Sequence, residues 1–378
     1  MSDGQLAVIG LGSVGSMALW QASQRSQEVV GFEAASPAHP RSAVGGDSRL
    51  FRMTYRGEGN YYPILQAAQR LWRQLEQESG RDILTQCGGL SIGEVDGEYL
   101  PALMDSIKRT GAPHEILDHA EMQRRYPQHH LAPDECGILD PEAGFLRTDR
   151  AVLAAVDAAV ANGATVKTET RVREIREAPD GVQVCTDSGV WSFDHVVVAS
   201  GSWSRQLLSP AWRDTVRPYR IYLTWYPIRE TDQFAPDVFP IFIRINSRGS
   251  LYGTPSIDGA TVKATLDGRG QPADDPETID RALTRAEIAE SQATVADFLP
   301  GLVPNIVRSD TYPDLYTADH APILGFSPGS HRVYLATGFS GAGFKMASAY
   351  GAIAASESLG EHPGVDGLDF VRPGRFAS

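Results

Sequence analysis

The stretch Leu6–Gln21, "LAVIGLGSVGSMALWQ", reads as a strand, a glycine-rich turn and a helix start. It is followed by "EVVGFE", a second strand that ends on the carboxylate of Glu33. Gly10 permits the tight turn, Gly12 lets a pyrophosphate approach the backbone, and Gly15 lets helix and strand pack closely. Ser13 and Val14 stand where the unpaired N–H groups of the helix start favour phosphate. Glu33 lies about 20 residues on, where a carboxylate accepts the ribose hydroxyls and repels a 2′-phosphate. A bare GxGxxG is a weak signal. With strand, helix and Glu33 in register, it predicts an adenine dinucleotide site.

Working outward, 378 residues are enough for two domains with cores of their own. A formal net charge of −13 argues against nucleic acid or anionic membrane as partners. Cys87, Cys136 and Cys185 are far apart, form no CxxC and read as buried thiols of a reducing compartment, with no metal site. His129–His130 sits between Pro127 and Pro133 and reads as loop. With no charged leader and no apolar run long enough for a bilayer, the expectation is a cytoplasmic protein.

After Glu33 comes a long Gly-, Ser-, Pro- and Arg-rich stretch through Asn60 without periodicity, of a length that usually serves function. Apolar spacing predicts a helix from Tyr62 to the stop at Gly80. A strand at "CGGLSIGE" and a helix to about Gly111 follow; then "GFLRTDRAVLAAVDAAVANGATV" reads as turn, helix, Gly163 cap and strand. The segment from Arg171 to Trp203 alternates like an antiparallel meander and ends in a buried strand, Val196–Ala199. Between Arg217 and Asp267 successive strand-like runs predict an antiparallel sheet in a second domain, and a helix is expected between Pro276 and Pro300. The C-terminal "HRVYLATGFSGAGFKMASAYGAIAASESLG" returns to strand, glycine turn and Ala-rich helix. That unit belongs with the first, so the dinucleotide domain is expected to be discontinuous.

At "VIGLGSVGS" with Glu33, "GGDSRLFRMTY", "VVVASGSWS", "YGTPSIDGATVK" and "LATGFSGAGFKMASAYG" the chain resembles the monomeric sarcosine oxidase and N-methyltryptophan oxidase family of D-amino-acid-oxidase-like flavoproteins. The resemblance spans about residues 5 to 360. It implies a mixed α/β fold: a discontinuous, Rossmann-like FAD-binding domain of the glutathione-reductase type (1–83, 146–216 and 322–378) and a substrate domain on an antiparallel sheet (84–145 and 217–321). It also implies FAD on Gly10, Gly12, Ser13, Val14, Gly15 and Glu33, with Ser48 and Arg49 approaching the flavin and Val172 touching the adenine. Ser200, Gly201 and Trp203 would line the cofactor. Phe339, Gly341, Ala342, Gly343, Phe344 and Lys345 would run beside the pyrimidine edge. Arg52 and Lys345 match the residues that hold a substrate carboxylate, Tyr252 a pocket tyrosine, and Lys263 the lysine over the flavin where oxygen is reduced.

Chemistry supports those assignments. Negative charge developing at a reduced flavin is stabilised by preorganised N–H groups such as those of a glycine turn before a helix. A guanidinium at Arg52 orients a carboxylate as well as attracting it. Lys263 alternates with Thr261 and Thr265, and a cation there favours electron transfer to oxygen. The chain also departs from the family. The usual flavin-attaching cysteine falls near Thr311, where none stands, so FAD is expected to be non-covalent. Pro313 replaces a pocket tyrosine, and Gly45 and Asp267 replace histidines. Asp267 either faces a second cationic group on the substrate or is a solvated turn aspartate. The expected function is FAD-dependent oxidation of the C–N bond of a secondary or N-methylated amino acid. Hydride passes to flavin, giving an imine, and O2 becomes H2O2; the chain is expected to act as a monomer. The alternatives are a flavin dehydrogenase with another acceptor, a nicotinamide dehydrogenase and a non-catalytic nucleotide-binding subunit.

Overall fold

The computed structural model describes residues 3–56 and 60–376. Strand Gly4–Ile9 lies parallel to Val29–Phe32, with Ile9 opposite Phe32. Thr165–Lys167 extends this sheet beyond Val29–Phe32, and Gly189–Val198 lies on the other side of Gly4–Ile9, followed by Val333–Thr337, all parallel. Residues 6–9, 29–32, 196–198 and 333–337 of these strands are near-continuous buried runs because both faces of a parallel sheet are covered there. Val172–Ala178 and Gly181–Thr186 form the antiparallel meander with the first half of Gly189–Val198. Ile323–Phe326 closes the other edge, antiparallel to Val333–Thr337. Helices Ser13–Ser23, Tyr62–Ser79, Thr148–Ala161 and Ala347–Ser358 pack together on one face around Met17, Trp20, Trp72 and Tyr350. The C-terminal glycine turn is thereby brought beside the first one.

The strand-rich middle forms a nine-stranded sheet together with strands from 89–94, 115–117 and 135–140. It is antiparallel except where Ile241–Ile245 runs parallel to Gly89–Gly93. The long stretch after Glu33 is not all loop. Ser48–Phe51 is a strand paired with Gly144–Arg147, where a turn was expected, and Leu84–Gln86 completes this small sheet. Four-residue strands carry too little alternation to be read locally; the partner defines them. The helix expected from Pro276 begins at Arg285. There Thr284 and Glu287 form a capping box, and Glu287 also takes the buried guanidinium of Arg220. All three cysteines are free, but Cys87 and Cys136 are half-buried rather than buried.

His129 lies in a loop but is buried, its ring stacked 5.3 Å from Phe239, with neither nitrogen hydrogen-bonded. Burial, helped by the charge of Arg244, pushes its pKa down to about 3. The unfolded chain therefore binds a proton below pH 6.5 that the folded chain refuses, so stability falls with pH between about 6.5 and 3. Between pH 8 and 5 this group removes about 2 kcal/mol. Urea titrations of wild type and His129→Phe at both pH values check it: the variant loses less by that amount.

Candidate active site

Two glycines of the first turn are fixed by contact. Gly10 has φ +86°, and a Cβ there would lie 2.6 Å from the Ser200 Cα; one on Gly15 would lie 1.8 Å from the Gly10 carbonyl oxygen. Beside Gly12 only Val44 Cγ2 comes near, at 3.9 Å, leaving that side open to the cleft. Glu33 is buried at the end of its strand, where Oε2 accepts the Leu11 N–H at 2.9 Å and Oε1 the Ala35 N–H at 3.0 Å. A carboxylate offers about four acceptor positions, so these bonds fix it and leave others for a ribose. His39 Nε2 stands 3.8 Å from Glu33 Oε1; burial holds its imidazole below the usual range against the pull of Glu33.

A cleft partly open to solvent runs from Gly10, Gly12, Ser13 and Val14 past Glu33, Val172, Ser200, Gly201 and Trp203 to Phe339, Gly343 and Phe344. Gly15, Ser48, Arg49, Gly341, Ala342 and Lys345 stand behind or beside it rather than on its wall. Its far wall carries residues that the sequence did not single out. Glu277 Oε1 accepts from Arg171 Nη2 at 2.6 Å and from Trp203 Nε1 at 2.8 Å. Arg281 donates to the carbonyls of Thr311 and Arg41. A segment leaving the second sheet is thus tied across the cleft to the first, a contact with no local sequence signature.

Beyond Phe344 the cationic residues gather. Lys263 is buried; its ammonium donates to Ser48 Oγ at 2.6 Å, to the Ser48 carbonyl, and to the Gly46 carbonyl at 3.3 Å. Burial, then the charge of Arg49, push its pKa well below the lysine range. Arg49 donates to the carbonyls of Ser48 and Ala43, both at 2.8 Å, and lies 5.8 Å over the Tyr312 ring. Tyr252 stands on the neighbouring strand opposite Thr265, its phenol pushed up by burial. Arg52 is buried, with Nη1 3.4 Å from Tyr99 Oη, Nε unpartnered and its guanidinium 5.9 Å over Tyr55. Lys345 Nζ lies 4.5 Å over the same ring, and burial followed by the charge of Arg52 brings its pKa down to about 7. Among the described residues neither Arg52 nor Lys345 forms an ion pair, whereas Asp47 is taken by Arg308.

Tyr55 and Asp314 belong to this cluster and were not legible as site residues. Tyr55 lies three positions after Arg52 in the same stretch, a spacing that could have flagged it. Asp314 lines the cleft and accepts the N–H groups of Gly341 at 2.9 Å and Leu315 at 2.8 Å. Burial raises its carboxyl against the opposing charges of Arg49 and Lys345, so it marks where cleft and cationic cluster meet. The glycine at position 45 also has a reason: a Cβ there would lie 2.2 Å from Tyr312 Cε1. Tyr312 fills the room that a side chain at 45 would need.

The FAD dependent oxidoreductase (DAO) family matches residues 5–357. This chain belongs to that family. It is 31% identical to the monomeric sarcosine oxidase of Streptomyces avermitilis, over 93% of this chain and 92% of the relative. It is 30% identical to the N-methyl-L-tryptophan oxidase of Yersinia pestis, over 93% and 94% of the two chains. Its fold is that of NikD, an unusual amino acid oxidase essential for nikkomycin biosynthesis (TM-score 0.87, 22% identity, 99% and 98% of the chains covered). It is also that of glycine oxidase from Geobacillus kaustophilus (TM-score 0.81, 19% identity, 98% of each chain).

For an FAD-dependent oxidoreductase the cleft fits its cofactor. Gly10 and Gly15 shape the turn, Gly12 leaves room beside it, and Glu33 is preset with free acceptor positions. No metal-holding group of His, Cys, Asp or Glu occurs among the described residues, and none of their helices is long and apolar enough to cross a membrane. The Glu277 contact yields a test. Glu277→Ala removes both of its bonds across the cleft, so FAD leaves about tenfold faster, read as the rise of flavin fluorescence after dilution.

Proposed function

We propose that this chain oxidises the C–N bond of a secondary or N-methylated amino acid to an imine. FAD, when bound, accepts the hydride and passes the electrons to O2, giving hydrogen peroxide. The observation that carries this reading is the pair Arg52 and Lys345, both against Tyr55 and both without an anionic partner among the described residues. Two partly desolvated cations facing one space suit a carboxylate, which the guanidinium holds by direction and the ammonium by charge. Their field also lowers the pKa of an ammonium held nearby, so the substrate loses its proton on binding without a side-chain base. Lys263 is the cation assigned to oxygen reduction, Ser48 accepts from its ammonium, Arg49 braces the loop of residues 43–48 beside it, and Tyr252 and Tyr55 line the substrate space.

In this reading FAD lies along Gly10, Gly12, Ser13, Val14 and Glu33, past Val172, Ser200, Gly201 and Trp203, to the turn Phe339–Lys345. The cofactor domain is 1–83, 146–216 and 322–378, and the substrate domain 84–145 and 217–321. FAD is non-covalent: no cysteine lines the cleft, and the position near Thr311 is occupied by residues bonded to Arg281. The protein acts as a monomer in the cytoplasm.

Two measurements test the assignment. Lys345 loses its proton near pH 7 in the substrate-free chain. Binding of an unreactive carboxylate, followed by flavin absorbance, therefore weakens up to about tenfold as pH rises through 7. Lys345→Met flattens that profile. For Lys263→Met, stopped-flow mixing with oxygen slows reoxidation at least about tenfold while anaerobic reduction changes little. Equal effects on both steps contradict the role given to Lys263.

A further inference from the structure

We propose that Asp267 selects the substrate by holding a positively charged group at the far end of the amino acid's side chain. The inference rests on the amino-acid reading above. Strand Thr261–Leu266 pairs with Gly249–Thr254, with Lys263 opposite Thr254 and Thr265 opposite Tyr252. The Asp267 N–H donates to the Ser250 carbonyl at 3.1 Å, which continues this pairing one step past the strand end. Side chains two apart share a face, so Lys263, Thr265 and Asp267 follow one another on the face that carries Tyr252. Lys263 is the buried end of that row and Asp267 the exposed end, about 13 Å further along at roughly 3.3 Å per residue.

The space that Asp267 faces is defined by groups from separate segments. Its negative charge reaches the phenols of Tyr55, Tyr252 and Tyr316 and the ammonium of Lys345. Its charge thus acts on the groups of the proposed substrate space, with a sign opposite to that of Lys345.

An aspartate spent on its own turn would look different, as a comparison within the chain shows; a solvated turn aspartate is equally exposed and is told apart by substrate preference. Asp258, in the preceding turn, accepts the Ala260 and Thr261 N–H groups and the Thr261 hydroxyl. The Asp267 carboxylate makes no such bond among the described residues, and the nearby Arg269 is paired with Glu290 instead. An amino acid bound by its α-carboxylate at Arg52 and Lys345 can thus extend past Tyr252 and present a terminal cation to Asp267. A neutral end leaves Asp267 solvated, and an anionic end is repelled.

The test uses the FAD-loaded enzyme, mixed anaerobically with Nα-methyl derivatives of lysine, norleucine and 2-aminoadipate, reading the concentration that half-saturates flavin reduction. At low ionic strength the lysine derivative half-saturates at an about fivefold lower concentration than the norleucine derivative, the size expected for one exposed ion pair. The aminoadipate derivative needs the most, and added salt narrows the series. In Asp267→Asn the three values converge; in Asp267→Lys their order inverts. Equal values for the lysine and norleucine derivatives in the wild type, or a preference unchanged in Asp267→Asn, overturn the proposal and leave the amine reading standing. No reduction by any of the three overturns it too. The amine reading falls as well if cyclic and primary amino acids also fail.

Discussion

Bringing Arg49, Arg52, Lys263 and Lys345 to one side of the second glycine turn concentrates positive charge, which Asp314 and Asp267 feel without forming an ion pair among the described residues. Each buried ion costs several kcal/mol in lost hydration unless something replaces the water. For Lys263 and Arg49 the replacement is neutral: carbonyls and a hydroxyl of residues 43–48. That explains why the strand Ser48–Phe51, which follows the loop of Gly45 and Gly46, is held in the core rather than left on the surface. Arg52 and Lys345 receive only a tyrosine face and one long hydroxyl contact. The deficit there is what gives the proposed substrate carboxylate its place.

The two sheets divide the work. The parallel sheet ends at Gly10 and Ser200, whose close contact shapes the first turn. Its last strand, Val333–Thr337, leads into the second glycine turn, and helix Ala347–Ser358 packs against helix Ser13–Ser23. The nine-stranded sheet supplies Lys263, Tyr252 and Asp314, and sends out Glu277 and Arg281 to span the cleft. Asp314 joins the halves: it lies on the strand Arg308–Thr317 and accepts the N–H of Gly341.

What the sequence made legible follows from how local each constraint is. The first turn could be read because its glycines answer to backbone contacts a few residues apart, and Glu33 because its distance from the turn is set by one helix and one strand. The helix Tyr62–Ser79 and its stop at Gly80, φ +66°, announced themselves through period and cap. Strand Ser48–Phe51 did not, since its partner lies far along the chain. Glu277 and Arg281 reach the cleft only through the packing of one sheet on the other. Asp314 carries no motif, and Tyr55 ends the GGDSRLFRMTY block without a role of its own there; what distinguishes both is the company of Lys345. The departure at Gly45 was visible, but its cause, the Tyr312 ring, needed three dimensions.

The central claim is that Arg52 and Lys345 together hold the substrate carboxylate beside FAD. The most direct measurement is a crystal structure of the FAD-loaded chain with an unreactive amino-acid analogue. The account predicts the analogue's carboxylate within hydrogen-bond distance of both the Arg52 guanidinium and the Lys345 ammonium. A carboxylate bound elsewhere, with Arg52 and Lys345 turned away from it, contradicts the account.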